Sequence, residues 1–183
     1  MIIMGLLIRV WRYFRGRMTL LKYKIIFGSR FKFKWSCRVR PSLIIRINGN
    51  GKVQLGERVF LNENVIINST GGEIFLEDDV FLNDMVCLNS RDKMIIGEKT
   101  IIGQGVKFYD HDHDYQQNLQ HDFKCAPIIV GKSVWIGADV ILLKGSNIGN
   151  RSVIGAATLV NEKIPDKVVY INKRIKQMYK IRY

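Results

Sequence analysis

The residues best suited to chemistry lie between positions 109 and 122, where the three histidines of the chain stand among aspartates. Histidine, whose ordinary pKa is about 6.5, is the side chain best suited to removing a proton near neutral pH. A carboxylate beside such a ring can hold it in one tautomer, and Asp110, Asp112 and Asp114 alternate with His111 and His113. The stretch therefore predicts a general base, with a zinc site built from the same side chains as the alternative.

A repeat of six residues must position this stretch. An aliphatic residue recurs at every sixth position from Val130 to Val160, and a glycine follows most of them. Helices repeat every 3.6 residues and strands every two, so a period of six predicts a solenoid in which each hexapeptide forms a short strand and a turn. Three sides close a triangular coil, with the aliphatic side chains inside and glycine relieving crowding at the turns.

Breaks in the period divide the chain into segments. The period recurs from Leu55 to Phe108 with slips near Gly71 and Arg91, which indicate insertions at corners of the coil. The polar, patternless stretch 110–127 is interpreted as a loop that leaves the solenoid, since insertions in such repeats collect on one face. We expect a basic N-terminal amphipathic or capping segment (1–40), a β-helix domain (41–165) and a basic C-terminal segment (166–183).

Charge is concentrated at the two ends of the chain. Residues 1–40 carry eleven Lys or Arg and no acid, residues 163–183 carry a net charge of +6, and the repeat between them carries −4. No nucleic-acid partner is expected, because the organised part of the chain is acidic and no nucleic-acid-binding motif accompanies the charge. The three cysteines match no metal or disulfide pattern, which indicates free thiols in a reducing compartment.

The first eighteen residues can form a helix with one apolar face. That face contains six residues: Ile3, Leu6, Leu7, Val10, Phe14 and Met18. The apolar run is too short to cross a bilayer and lacks the order of a signal peptide. Two interpretations stay open, which are a basic amphipathic helix at the surface of an anionic membrane and a helix that caps the solenoid.

The stretch Ile128–Val140, in which Val134-Trp135-Ile136-Gly137 follows a His-bearing loop, continues in the same pattern to Pro165. In these residues the chain resembles the hexapeptide-repeat acyltransferases, and within them the maltose and galactoside O-acetyltransferases and relatives that acetylate bacterial surface polysaccharides. The resemblance covers about residues 76–170. It implies an all-β fold, a left-handed parallel β-helix, that assembles as a homotrimer with active sites in the clefts between subunits.

The resemblance also implies roles for individual residues. His111 stands at the position of the family's catalytic base, which takes the proton from an acceptor hydroxyl, and Asn83 at that of an asparagine that helps place the acceptor. The expected co-substrate is acetyl-CoA, and the positions implied to bind it are Trp135, Ala138, Ala156, Asn161, Lys163 and Lys176. The family usually has Thr-Lys where this chain has Asn161-Glu162, so a contact to a CoA phosphate is lost or moves to Lys163.

The predicted function is acetyl-CoA-dependent O-acetylation of a saccharide hydroxyl, in a bacterial capsule, O-antigen or exopolysaccharide pathway. The acceptor is a saccharide or a lipid-linked glycan, and we expect a cytoplasmic enzyme with peripheral contact at the inner face of the membrane. Three alternatives stay open: N-acetylation of an amino sugar, a metalloenzyme similar to γ-class carbonic anhydrases, and a non-catalytic membrane scaffold. No metal site is expected, and for His113 and His121 a role as solvated loop residues is equally open.

Overall fold

A computed structural model of the chain describes residues 2–117, 119 and 121–173. Helix α1 (Ile2–Phe27) and a 3-10 turn (Gly28–Arg30) precede twenty-two short strands within those residues. In chain order the strands are β1 (Phe31–Phe33), β2 (Arg38–Val39), β3 (Ile44–Asn48), β4 (Lys52–Leu55), β5 (Phe60–Leu61), β6 (Ile66–Thr70), β7 (Glu73–Leu76), β8 (Phe81–Leu82), β9 (Cys87–Ser90), β10 (Lys93–Ile96), β11 (Ile101–Ile102), β12 (Lys107–Tyr109), β13 (His111–His113), β14 (Phe123–Cys125), β15 (Ile128–Val130), β16 (Trp135–Ile136), β17 (Ile141–Leu143), β18 (Asn147–Ile148), β19 (Val153–Ile154), β20 (Leu159–Val160), β21 (Lys163–Ile164) and β22 (Val169–Tyr170).

The strands stack into three parallel sheets that the chain visits in turn. Sheet A contains β1, β4, β7, β10, β15, β18 and β21; sheet B contains β2, β5, β8, β11, β16, β19 and β22; sheet C contains β3, β6, β9, β12, β17 and β20. The antiparallel hairpin of β13 and β14 stands outside them. The predicted hexapeptide-repeat β-helix is confirmed, and its strands extend from Phe31 to Tyr170, beyond the range 41–165 of the sequence pattern.

The aliphatic residues of the six-residue period form the interior. Each of these side chains is at most 1% exposed: Val130, Ile136, Leu142, Ile148, Ile154 and Val160. Burial of one such side chain stabilises the fold by about 1.5–3 kcal/mol. A Cβ added at Gly137 would lie 2.7 Å from the backbone nitrogen of Ala156 in the next coil, so the predicted need for glycine at this turn is confirmed.

Two edges of the solenoid flank sheet C. We call the turns that follow the sheet B strands the B–C edge, and the turns that follow the sheet C strands the C–A edge. The coil that leads from Ile129 to its partner Asn147 is three hexapeptides long, whereas the coil that leads from Val53 to its partner Ile74 is longer. The additional residues of the longer coils lie at the C–A edge, where segment 110–127 also leaves the solenoid. The predicted corner insertions are therefore found on one edge.

Helix α1 covers the first coil of the solenoid. Leu20 and Tyr23 are buried, and the Tyr23 hydroxyl donates a hydrogen bond to the Leu43 carbonyl oxygen at 3.0 Å. Gly16 approaches the carbonyl oxygen of Val39 so closely that no larger residue fits there. The C-terminal half of the helix is thus a cap. Among the described residues, no helix has the length and apolar content needed to cross a membrane.

Candidate active site

The base of the inserted loop brings His111 to the end of a sheet C strand. β12 ends at Tyr109, Asp110 follows as a fully buried residue, and the hairpin of β13 and β14 begins at His111. The backbone N–H of Ala126 donates to the Asp110 carbonyl oxygen at 3.0 Å, which closes the loop at its root. The His111 side chain is 19% exposed, so the ring is largely enclosed and still reaches solvent.

Asp110 holds the ring of His111. Its carboxylate accepts hydrogen bonds from the Ser90 hydroxyl (2.6 Å) and from the backbone N–H groups of Arg91 (2.8 Å) and Asp92 (3.0 Å). One of its oxygens also lies 2.9 Å from Nδ1 of His111. Because a carboxylate only accepts, Nδ1 carries a proton, and in the neutral ring Nε2 then has the free lone pair. The expectation that an aspartate fixes the tautomer of a histidine is thereby met by Asp110.

The other two histidines lie in the exposed part of the loop. Nδ1 of His113 is 2.6 Å from the Leu119 carbonyl oxygen, and His121 is exposed. Phe123 separates His113 from the root of the loop, with ring centroids 4.6 Å from His113 and 5.5 Å from His111. The loop therefore offers one enclosed and oriented imidazole, that of His111.

His111 lines a groove of about 340 Å³ at the C–A edge. Its outward-facing floor is a ladder across three coils, in which Arg46 donates to the Asn68 amide oxygen (3.1 Å) and Asn68 donates to that of Asn89 (2.8 Å). Arg91 also lines the groove, and none of the lining residues is acidic. A wider depression of about 580 Å³ on sheet A contains none of these groups, so we place the chemistry in the smaller groove.

The sequence analysis missed this ladder. Asn68 and Asn89 are one coil apart, and each stands at the same place in its coil, since the two residues are direct partners across the sheet. A search for polar residues repeating at the coil length would have found them. The six-residue period hides the relation, because the coil that joins them is not a whole number of hexapeptides.

The B–C edge carries a second group of candidate residues. One column of backbone hydrogen bonds at this edge joins Asn62, Asn83, Gly103, Gly137 and Gly155, each to the end of the sheet B strand in the next coil. Ala138 and Ala156 follow the last two glycines, and the indole of Trp135, 57% exposed, lies on β16 just before the edge. The structure thus brings Asn83, Trp135, Ala138 and Ala156 to one edge, and His111 to the other.

The remaining candidates for cofactor contact lie elsewhere. Asn161 follows β20 and is therefore on the C–A edge with His111, and Lys163 is exposed on β21 of sheet A. Lys176 lies outside the described residues. Asn83 and His111 do not line the same groove within one chain.

Cys125 is paired with His111 across the hairpin, but its chemistry is unfavourable for attack. Burial, followed by the charges of Asp110 and Asp92, raises the pKa of the Cys125 thiol above its ordinary value. The thiolate, which is the nucleophilic form, is therefore disfavoured at neutral pH. Across the described part of the chain, no three His, Cys, Asp or Glu residues are grouped so that they could hold a metal ion.

Comparison with known proteins gives the family. No family model matches the chain. The chain is 30% identical over 135 residues to an Escherichia coli K12 protein whose provisional name is lipopolysaccharide biosynthesis O-acetyl transferase WbbJ, a match that covers 67% of this chain and 69% of the relative. The chain belongs to the hexapeptide-repeat acyltransferases. This acyltransferase therefore combines the family's solenoid with a histidine-bearing loop at one edge.

Two further similarities place this acyltransferase among its relatives. It is 30% identical over 121 residues to the galactoside O-acetyltransferase of Lactococcus lactis, in a match that covers 63% of this chain and 57% of that relative. It has the fold of AntD, an N-acyltransferase from Bacillus cereus, with a TM-score of 0.69, 17% identity and 89% of each chain covered. The AntD structure, that of a single-site mutant, contains dTDP-4-amino-4,6-dideoxyglucose and coenzyme A.

Proposed function

We propose that this acyltransferase transfers an acetyl group from acetyl-CoA to a hydroxyl group of a saccharide in the biosynthesis of a bacterial surface polysaccharide. The observation that carries the proposal is the imidazole of His111, which lines the groove and whose Nδ1 lies 2.9 Å from a carboxylate oxygen of the buried Asp110. The names of WbbJ and of the Lactococcus enzyme support O-acetyl transfer.

His111 moves the proton in this reaction. Nε2 accepts the proton of the acceptor hydroxyl as the hydroxyl oxygen bonds to the thioester carbonyl carbon. The carbon–sulfur bond then breaks, and the imidazolium returns the proton to the leaving sulfur, so that an acetyl ester and a free thiol are formed. Asp110 stabilises the positive charge that the ring carries between the two transfers. No protein nucleophile is needed, because the thioester supplies an already activated acetyl group.

The B–C edge is suited to the donor. Its glycines and alanines, Gly103, Gly137, Ala138, Gly155 and Ala156, leave a strip without large side chains along consecutive coils. The backbone of such a strip can be followed by an extended pantetheine arm, and the exposed indole of Trp135 borders it. Asn161 and Lys163 lie away from this edge in the same chain, so a contact of either with a CoA phosphate requires a neighbouring copy.

The groove at the C–A edge is suited to the acceptor. The amides of Asn68 and Asn89 offer hydrogen-bond groups for sugar hydroxyls, and Arg46 and Arg91 give the lining a positive charge. This charge favours an acceptor with a phosphate, such as a sugar nucleotide or a lipid-linked glycan. The sugar nucleotide in the AntD structure has the same chemistry, and its amino group makes N-acetylation the second candidate.

Assembly as a homotrimer would complete the site. The sheet C strands β9 and β12 between these residues have four and three residues and, at about 3.3 Å per residue, separate the two edges by roughly 10–13 Å. Asn83 and His111 can therefore act on one acceptor only if the C–A edge of one copy faces the B–C edge of the next. A closed ring of three copies forms three such clefts.

A mixing experiment tests the shared site. His111→Ala disables one edge and Ala156→Trp the other, and the two inactive variants are unfolded, mixed and refolded together. Random trimers would regain about a quarter of the wild-type activity, because each cleft needs two intact edges from different copies. Refolding each variant alone is the control. No recovery in mixed trimers, or an active monomer in light scattering, would contradict the shared site.

The reaction is tested by following CoA release from acetyl-CoA with neutral sugars, sugar nucleotides and lipid-linked glycans as acceptors. Release that depends on acceptor and yields a product cleaved by mild alkaline hydroxylamine is expected for an acetyl ester. An acetylated product that resists hydroxylamine would select the N-acetyl alternative. Release that no acceptor accelerates would overturn both.

A further inference from the structure

Helix α1 has a second apolar face that nothing in the described structure covers. Seven residues recur at alternating intervals of three and four and are between 36% and 84% exposed: Met4, Leu7, Trp11, Phe14, Met18, Leu21 and Ile25. We call them the outer face. Ile8, Val10 and Ile26 are also exposed and widen the apolar surface from about 100° to about 160° of the helix circumference, an arc whose one margin also contains Arg15 and Lys22. From Met4 to Ile26 the apolar surface extends over about 33 Å along the helix axis.

The outer face is opposite to the capping face. Gly16, Leu20, Tyr23 and Phe27 contact the first coil, and their mean direction on the helical wheel is about half a turn from that of the outer face. The two interpretations of this helix that the sequence leaves open are therefore compatible. One face of the helix caps the solenoid, and the other points away from it.

The charges beside the outer face are all positive. Arg15 and Lys22 lie along one side and Arg17 and Lys24 along the other, and residues 1–40 contain no acid. In a coiled coil of two such helices these four residues would occupy the positions that flank the seam, so cation would face cation. The arc of about 160° is also wider than the narrow stripe of a coiled-coil seam. A second copy is thus a poor occupant, whereas an anionic surface complements both the apolar residues and the charges.

We propose that the outer face of α1 binds the surface of an anionic lipid bilayer, with the helix lying in the interfacial plane. The apolar side chains enter the boundary between headgroups and acyl chains, and the exposed Arg15 and Lys22 contact the lipid phosphates. Trp11 and the exposed Trp35, whose ring lies 4.8 Å from the Arg17 guanidinium, are suited to the headgroup level. Binding of this kind is reversible and weakened by salt, which screens the charges.

The test uses the full-length protein and co-sedimentation with vesicles of phosphatidylcholine, alone or mixed with phosphatidylglycerol. Wild type should sediment with the anionic vesicles at low salt and be released at high salt. Leu7→Gln/Phe14→Gln/Met18→Gln should lower the partition coefficient into the vesicles at least tenfold. These three side chains are exposed on the outer face, so their replacement leaves the contacts between α1 and the solenoid intact. Deleting the helix is a poor test, since it also removes Leu20 and Tyr23 from the cap.

Matched variants keep the test specific. Met85→Gln/Ile101→Gln/Val169→Gln removes three exposed apolar side chains from the solenoid and should leave vesicle binding unchanged. Arg15→Gln/Lys22→Gln should weaken binding and its salt dependence, whereas Arg151→Gln/Lys167→Gln, at the opposite end of the solenoid, should not. Light scattering reports the oligomer of each variant. The proposal would be overturned if the wild type did not bind the vesicles or bound neutral vesicles equally well. It would also be overturned if the outer-face variant had an altered oligomeric state in solution, because the face would then be a contact between copies.

Discussion

The two edges that flank sheet C enclose the same aliphatic core but differ in what they present to solvent. The C–A edge has gained residues, and there the chain carries the loop 110–127, the buried Asp110 and the groove with Arg46 and Arg91. The B–C edge presents few large side chains, because glycine and alanine dominate its turns in the C-terminal coils. The C–A edge is thus distinguished by additional residues in its turns, and the B–C edge by the small size of its side chains.

This difference shows how a uniform solenoid acquires a site. The interior is filled mainly by aliphatic side chains on all three sides, so the core places little constraint on what either edge presents to solvent. A turn is free to grow outward or to shrink, since neither change disturbs the inward positions. We infer that proton transfer belongs to the edge with the additional residues and donor binding to the edge with the small side chains.

The largest effect is expected at the C–A edge from His111→Ala. Loss of the general base should lower kcat by roughly 10²–10⁴-fold in the CoA-release assay, with an unchanged melting temperature, because the ring is outside the core. His113→Ala is the matched control and should retain most activity. If His113→Ala lost more activity than His111→Ala, the general base would be His113.

Asp110→Asn should have the next largest effect, on both rate and stability. The amide cannot replace a carboxylate that accepts from Ser90, Arg91 and Asp92, so the free energy of unfolding should fall by about 1–3 kcal/mol. A ring that is no longer held should lower kcat about tenfold or more and alter the pH profile of kcat while KM changes little. Asp112→Asn, on the exposed part of the loop, should match wild type. If the pH profile of kcat were unaltered in the Asp110 variant, Asp110 would have a structural role only.

At the B–C edge a bulky side chain should obstruct the donor. Ala156→Leu is expected to raise KM for acetyl-CoA about tenfold, equivalent to about 1.4 kcal/mol, with kcat changed less than twofold. Asn50→Leu, an exposed substitution on the C–A edge of the first coil, is the control. A fall in kcat with KM unchanged would mean that the strip does not carry the donor.

The smallest effect is expected from Cys125→Ala, which lies beside His111 without taking part in the chemistry. Burial raises the pKa of this thiol above its ordinary value, so the thiolate is disfavoured at neutral pH and the thiol takes no part in the reaction there. Activity within twofold of wild type, and the same pH profile between pH 7 and 9, should be measured. A loss above tenfold would point to a covalent route through Cys125.

Much of the fold could be predicted because its information is local. The period of six set strand, turn and inward face for each hexapeptide, and Gly137 was predicted from the crowding that the structure contains. The ladder of Arg46, Asn68 and Asn89 could not be found in the same way. It depends on the length of each coil, and the insertions at the C–A edge alter that length from one coil to the next.

The sequence by itself determined the repeat, the loop and the basic first forty residues, because each is a matter of residue type and spacing along the chain. His111 was predicted as the base from the resemblance to the family, since residue type alone did not separate it from His113. Only the tertiary structure decided that Ser90, Arg91 and Asp92 hold Asp110, since those bonds join neighbouring coils. It also separated Asn83 from His111 by the width of a sheet and divided α1 into two faces. Stacking decides such relations, because it brings together residues that no short sequence pattern connects.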